Sequence, residues 1–191
     1  MSDYSTSFTV QQSADEVYAA ILNVGAWWTG EIEGRADEVG GEFAYRHLPQ
    51  HYSLQRVVEL EPGRRVAWEV VDSKLAFVSE PSEWTGSQIV FDILPGTEAS
   101  GGTDVGGGEH EDTPDGGAVR GRSIGSGAVR GRSVGGRAVQ AGGVGAEVRF
   151  THLGLVPEVE CFGACSTAWR HYVNGSLYSL ITTGEGLADP W

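Results

Sequence analysis

The groups in this 191-residue chain that could do polar chemistry are few: five histidines, two cysteines and scattered serines. His47 and His51 flank Pro49, and no His-Glu-x-x-His pair offers two imidazoles on one helical face. His110 falls in a glycine-rich stretch. No metal site and no cofactor are therefore expected. Ser166 has no Gly-x-Ser-x-Gly context and no evident base, so a nucleophilic triad lacks support. No phosphate-binding glycine motif follows a strand and opens a helix. Cys161 and Cys165 stand four apart on a predicted helix. Their Cα atoms would lie about 6 Å apart, at the long end for a disulfide. The spacing is not that of a C-x-x-C redox or zinc pair. It reads as two small buried thiols, with a redox pair as the alternative.

What remains is largely aromatic. Trp28, Phe43, Tyr45, Trp68, Phe77, Trp84, Phe91, His152, Trp169 and Tyr172 are large and fall on predicted inward faces. Each could be plain core packing, or together they could line a cavity for a small apolar molecule. His152 and Tyr172 are the sharper candidates. Each places a polar group where an unpaired one is costly, to be met by a ligand or by a backbone carbonyl.

These residues need elements to hold them. Pro157 to Gly184 carries Cys161, Cys165, Ala168, Trp169, Tyr172, Val173, Ser176, Leu177, Leu180 and Ile181 on one stripe at helical spacing. Pro157 suits a first turn, Glu158 and Glu160 suit the positive end of the dipole, and Gly184 suits a stop. A helix of this length with one apolar face needs a broad apolar partner, and the strand-like runs upstream can supply a sheet.

Ser5 to Val10 alternates as a first strand. Ser13-Ala14-Asp15-Glu16 matches a capping box, and Val17, Tyr18, Ile21 and Leu22 form the stripe of the helix it opens, ended by Gly25. Ala26-Trp27-Trp28 reads as a short helical or turn segment. Strand-like runs follow at Glu42–Leu48, Tyr52–Leu60, Arg65–Val71, Gln88–Leu94 and Ala146–Leu153. Glu61-Pro62-Gly63-Arg64 is a turn. Lys74 to Gly86 reads as an irregular connector over one mouth of the sheet.

Pro95 to Gly145 differs in kind: 17 of its 51 residues are glycine and none is aromatic. It holds a repeat, Gly117-Ala-Val-Arg-Gly-Arg-Ser-Ile-Gly-Ser126 followed by Gly127-Ala-Val-Arg-Gly-Arg-Ser-Val-Gly-Gly136. Ten residues are too few for a solenoid unit, and the composition cannot bury a core. The expectation is one domain over 1–191, with 95–145 a disordered insertion between two adjacent strands, tolerated because closure entropy grows only logarithmically.

The net charge is −13. The insertion contributes −1 of it (six acids, five arginines), so the remainder carries −12. That balance disfavours nucleic acid and anionic membranes as partners. No apolar run reaches the roughly 18 residues of a membrane helix, so no membrane insertion is expected. With no secretory signal evident at the N-terminus, a cytoplasmic protein is expected.

Strand, helix, long antiparallel meander, then one long helix is an α+β order. The residues also resemble a family. Phe8-Thr9-Val10 with Ser13-Ala14-Asp15-Glu16-Val17-Tyr18, then Trp27-Trp28, Gly40-Gly41-Glu42-Phe43, Val66-Ala67-Trp68, Glu83-Trp84-Thr85-Gly86, Val148 to Gly154, and Trp169 through Gly175-Ser176-Leu177 resemble the START-like, helix-grip (SRPBCC) superfamily. Within it they are similar to the branch of the activator of heat-shock-protein-90 ATPase. The resemblance covers 1–94 and 146–186, and the glycine-rich segment departs from the family's short turn. It implies a curved antiparallel sheet wrapped around a long C-terminal helix, with small N-terminal helices, and a lipid- or small-molecule-binding fold. It transfers no catalytic residue.

Three functions follow as expectations. The first is non-catalytic binding of a small hydrophobic molecule or lipid between sheet and C-terminal helix. The second is a co-chaperone-like domain whose acidic surface meets a chaperone or other protein. The third, with least support, is a cyclase- or hydrolase-type enzyme using His152 as acid/base.

Overall fold

A computed structural model of the chain describes residues 2–47, 49–96 and 145–188. Seven strands form one antiparallel sheet in the order β1-β7-β6-β5-β4-β3-β2. They are β1 (Tyr4–Val10), β2 (Glu31–Gly34), β3 (Glu42–His47), β4 (His51–Glu61), β5 (Arg65–Leu75), β6 (Gln88–Pro95) and β7 (Ala146–Leu153). α1 (Ala14–Leu22) and a 3₁₀ turn (Val24–Ala26) connect β1 to β2. The C-terminal helix comprises α2 (Phe162–Trp169), a π-helical stretch (Arg170–Leu177) and α3 (Tyr178–Thr183). This is the α+β architecture that the order of elements implied, in the helix-grip form that the resemblance implied. Among the described residues no helix is long and apolar enough to cross a membrane.

The alternation in the strands sets which side chains face the helix. One inward row runs Val57, Trp68, Ile89, His152 and Tyr4 across β4, β5, β6, β7 and β1. Another runs Tyr45, Ser53 and Ser73 across β3, β4 and β5. The pairing of β4 with β5 shifts register at Leu54/Gln55 and at Val57/Glu59. Such bulges bend a sheet, and they explain why the alternation of this run reads only in part from sequence. α1 begins on the expected capping box: Glu16 N–H donates to Ser13 Oγ, and Ser13 N–H donates to the Glu16 carboxylate at 2.8 Å. Its Val17 and Ile21 are fully buried.

One strand was not anticipated, and one expectation needs correction. The four-residue edge strand β2, Glu31-Ile32-Glu33-Gly34, has one large apolar residue and gives no alternating signal. The C-terminal helix starts at Phe162, not Pro157. Residues 157–161 are turns, with Val159 N–H donating to Val156 O and Phe162 N–H to Val159 O. The capping charge is not Glu158 or Glu160 of the same segment. It is Glu83, from the β5–β6 connector, whose carboxylate accepts from Glu160 N–H at 2.8 Å and Cys161 N–H at 2.9 Å. At the other end Gly184 takes the left-handed conformation, φ 87°, and closes the helix as its position suggested.

The π segment has a packing consequence. Cys161, Cys165, Trp169, Val173 and Leu177 are all buried at a strict spacing of four. At 3.6 residues per turn such a row drifts about 40° per step. A stretch of wider turns counters the drift and keeps the row against the sheet.

Pro95 pairs with Ala146, and Gly96 N–H donates to Gly145 O, so β6 and β7 meet at the chain's exit and re-entry points. The disordered insertion expected over Pro95–Gly145 otherwise lies outside the described residues.

Candidate functional site

A cavity of about 510 Å³ opens between the C-terminal helix, the β3–β4 hairpin and the β5–β6 connector. Six of the ten candidate residues line it: Trp28, Tyr45, Phe77, Trp84, Trp169 and Tyr172. The other four sit in the hydrophobic core instead. Phe43 packs edge-on against Trp68 at 4.9 Å between ring centroids, Trp68 against Phe91 at 5.4 Å, and His152 against Trp84 at 4.6 Å.

Each wall has a local cause. Val24–Ala26 makes a tight turn in which Trp28 N–H donates to Val24 O at 2.9 Å, and Trp27 Nε1 donates to Ile21 O at 3.2 Å. This delivers Trp28 to the Tyr45 ring, stacked at 4.4 Å and 17°. Gly30 follows at φ 141°, and a Cβ there would come within 2.7 Å of the Tyr45 ring. Only glycine permits that approach. The connector brings Trp84 parallel to Trp169, 5.6 Å apart at 11°. Trp169 returns to Trp28 at 4.9 Å. His51, the first residue of β4, joins Tyr45 at 5.0 Å to Trp84 at 4.5 Å. Trp28, Tyr45, His51, Trp84 and Trp169 thus form a closed circuit of aromatic rings, and all five line the cavity.

The connector is tied at both ends. Ala76 N–H donates to Gln50 O at 2.9 Å, and Ser79 N–H to the Glu160 carboxylate at 2.8 Å. With the Glu83 cap, these bonds hold Trp84 and Phe77 over the cavity. Trp84 is buried, whereas Phe77 is 45% exposed at the mouth.

The two imidazoles packed against Trp84, His152 buried and His51 half-buried, differ. His152 is fully engaged: Trp169 Nε1 donates to its Nδ1 at 3.0 Å, and its Nε2 faces Ser87 Oγ at 2.8 Å. Because Nδ1 accepts, Nε2 carries the proton and donates to Ser87, whose hydroxyl donates onward to Trp84 O at 2.6 Å. Burial, then the neighbouring His51, pushes His152 down to about 3. Its polar atoms are met by protein groups, and neither nitrogen is free for acid/base chemistry. His51 is likewise pushed down to about 3, by burial and then by His47. Its Nε2, however, is buried without a hydrogen-bond partner. The sequence treated His51 only as one half of a weak metal pair. Its register opposite His47, next to the Tyr45–Ser53 pair, was the signal that could have placed it in the wall.

Cys161 and Cys165 are buried free thiols. The hydrogen bond between them, then burial, holds Cys165 far above the ordinary thiol range, so the sulfur lining the cavity is a protonated, inert group. Among the described residues no cluster of three or more His, Cys, Asp or Glu could hold a metal ion.

No family model and no curated protein matches the chain. Solved structures do. The Aha1 dimer from Colwellia psychrerythraea superposes with a TM-score of 0.58 at 19% identity, covering 97% of this chain and 100% of that one. Protein MLL2253 from Mesorhizobium loti gives 0.53 at 12%, over 91% and 92% of the two chains. DynU16, a putative protein in the dynemicin biosynthetic locus, gives 0.54 at 11%, over 97% of this chain and 49% of its own. The likeness, spread over nearly the whole chain, establishes the fold: a helix-grip α+β fold of the form also seen in the Aha1 structure.

Proposed function

We propose that this protein binds a small apolar molecule or lipid, without catalysis, in the cavity between the aromatic circuit and the C-terminal helix. The observation that carries this reading is a 510 Å³ cavity walled by stacked aromatic rings in a fold whose sheet is otherwise filled by its helix. An apolar space of that size costs packing energy when empty, and binding sites of small molecules fall in this range. His152 is engaged by Trp169 and Ser87, so its nitrogens are not offered to the cavity. Ala168, on the helix face that lines the cavity, is the position to fill. In a thermal-shift screen of apolar compounds, hits on the wild type should vanish in Ala168→Trp while the variant still melts cooperatively. Equal shifts in both proteins would place the ligand elsewhere.

A second reading, a co-chaperone-like interaction domain, is favoured by the fold likeness to Aha1 and the net charge of −13. It requires a partner with a basic patch, captured at low salt and released at high salt. Capture unaffected by salt would remove it.

A further inference from the structure

We infer that the occupant of this cavity is a flat, uncharged molecule carrying a hydroxyl group, and that this hydroxyl hydrogen-bonds Nε2 of His51. The inference rests on the cavity reading and adds the ligand's chemistry to it.

Three observations point there. The first is shape. The walls include two nearly parallel ring pairs, Trp28 with Tyr45 at 17° and Trp84 with Trp169 at 11°. Such surfaces favour a planar guest that stacks or lies edge-on. An apolar cavity of about 150 Å³ takes up one benzene, so roughly three rings fit here. The second is charge. Among the described residues no aspartate, glutamate, lysine or arginine lines the cavity. An ionised guest would lose its hydration without gaining a counter-ion, which is costly.

The third observation is an orphaned imidazole in the cavity wall. His51 lines the cavity, and its Nε2 is buried with no partner. Such a group in a native interior calls for a partner. His152, one ring away across Trp84, shows the contrast, since both its nitrogens are met by protein groups. A neutral imidazole offers Nε2 either as N–H or as a bare acceptor, and a hydroxyl is the small uncharged group that answers both.

The test is equilibrium dialysis of naphthalene and 2-naphthol against the wild type, His51→Phe and His51→Gln. The wild type should hold 2-naphthol about five- to tenfold more tightly than naphthalene, the value of one net hydrogen bond. His51→Phe should retain naphthalene and lose or reverse the preference, because the hydroxyl is then buried unpaired. His51→Gln should recover part of it. Naphthalene bound with no preference for 2-naphthol, or a preference that survives in His51→Phe, overturns the inference and leaves the cavity reading standing. Uptake of neither probe by the wild type overturns both.

Discussion

Glu83 is one residue of a loop, yet its carboxylate caps the longest helix of the molecule. Replacing it with alanine removes the acceptor of Glu160 N–H at 2.8 Å and Cys161 N–H at 2.9 Å. Hydrogen bonds to a charged partner contribute about 1.5–3 kcal/mol each, and losing a helix cap costs about 0.5–2 kcal/mol. The Glu160 bond is solvent-exposed and water can replace it, whereas the Cys161 bond is partly buried. The expected loss for Glu83→Ala is therefore about 2 kcal/mol, toward the top of the cap range. For a domain of this size that lowers Tm by about 4–8 °C. Glu83→Gln keeps one acceptor oxygen and loses the charge, so about half that loss is expected. Burial raises the Glu83 pKa, but the N–H donors of Cys161 and Glu160 outweigh it, and the net shift is downward from 4.5. A depressed folded pKa means that the stabilisation is complete above the unfolded value and is lost as pH falls below it. The gap between wild type and Glu83→Gln in urea unfolding should thus be full at pH 7 and shrink below about pH 4.5. The same change frees the connector that carries Trp84 and Phe77, so ligand affinity should fall with stability. An alanine variant that melts with the wild type at pH 7, or a gap insensitive to acid, refutes the cap.

Three further outcomes follow from the same contacts. His51 and His152 are held neutral with pKa values of about 3, so the unfolded chain takes up their protons first as pH falls below about 6.5. Stability should drop by about 1.4 kcal/mol per pH unit for each histidine, and His152→Gln should show a shallower slope in urea titrations between pH 7 and 5; equal slopes would mean that His152 is not buried neutral. Phe77→Ala should weaken ligand binding at the cavity mouth yet shift Tm by less than about 2 °C, because a side chain 45% exposed contributes little to folding. Replacing residues 97–144 by a two-residue turn should leave one cooperative melting transition, since β6 and β7 remain paired from Pro95 and Ala146; loss of cooperativity in calorimetry would show that the segment belongs to the core.

How far the fold was legible depended on where each signal lay. The strands carry period-2 patterns in their own residues, such as Val148, Phe150 and His152 against Glu147, Arg149 and Thr151. Ser13 and Glu16 announce α1, and Gly184 announces the last turn. These are local features, and local features survive folding. The start of the C-terminal helix did not read correctly, because its cap is Glu83, far away in the chain. The π stretch has no composition of its own; the trace it leaves is the fourfold spacing from Cys161 to Leu177. β2 is too short to alternate. In the site, aromatic residues on inward faces were visible, but sequence could not divide cavity wall from core. Phe43, Trp68 and Phe91 went to the core because β3, β5 and β6 bring their rings against one another. His152 was satisfied by an indole and a serine that converge only in three dimensions. His51 joined the wall because a hairpin set it beside Tyr45.

The most direct test of the central claim is native mass spectrometry of the wild type and Ala168→Trp, each compared with its denatured form. Occupancy of the aromatic cavity predicts an added mass on the native wild type that disappears on denaturation and is missing from the variant. A bare wild-type mass, or an adduct equally present on Ala168→Trp, would contradict it.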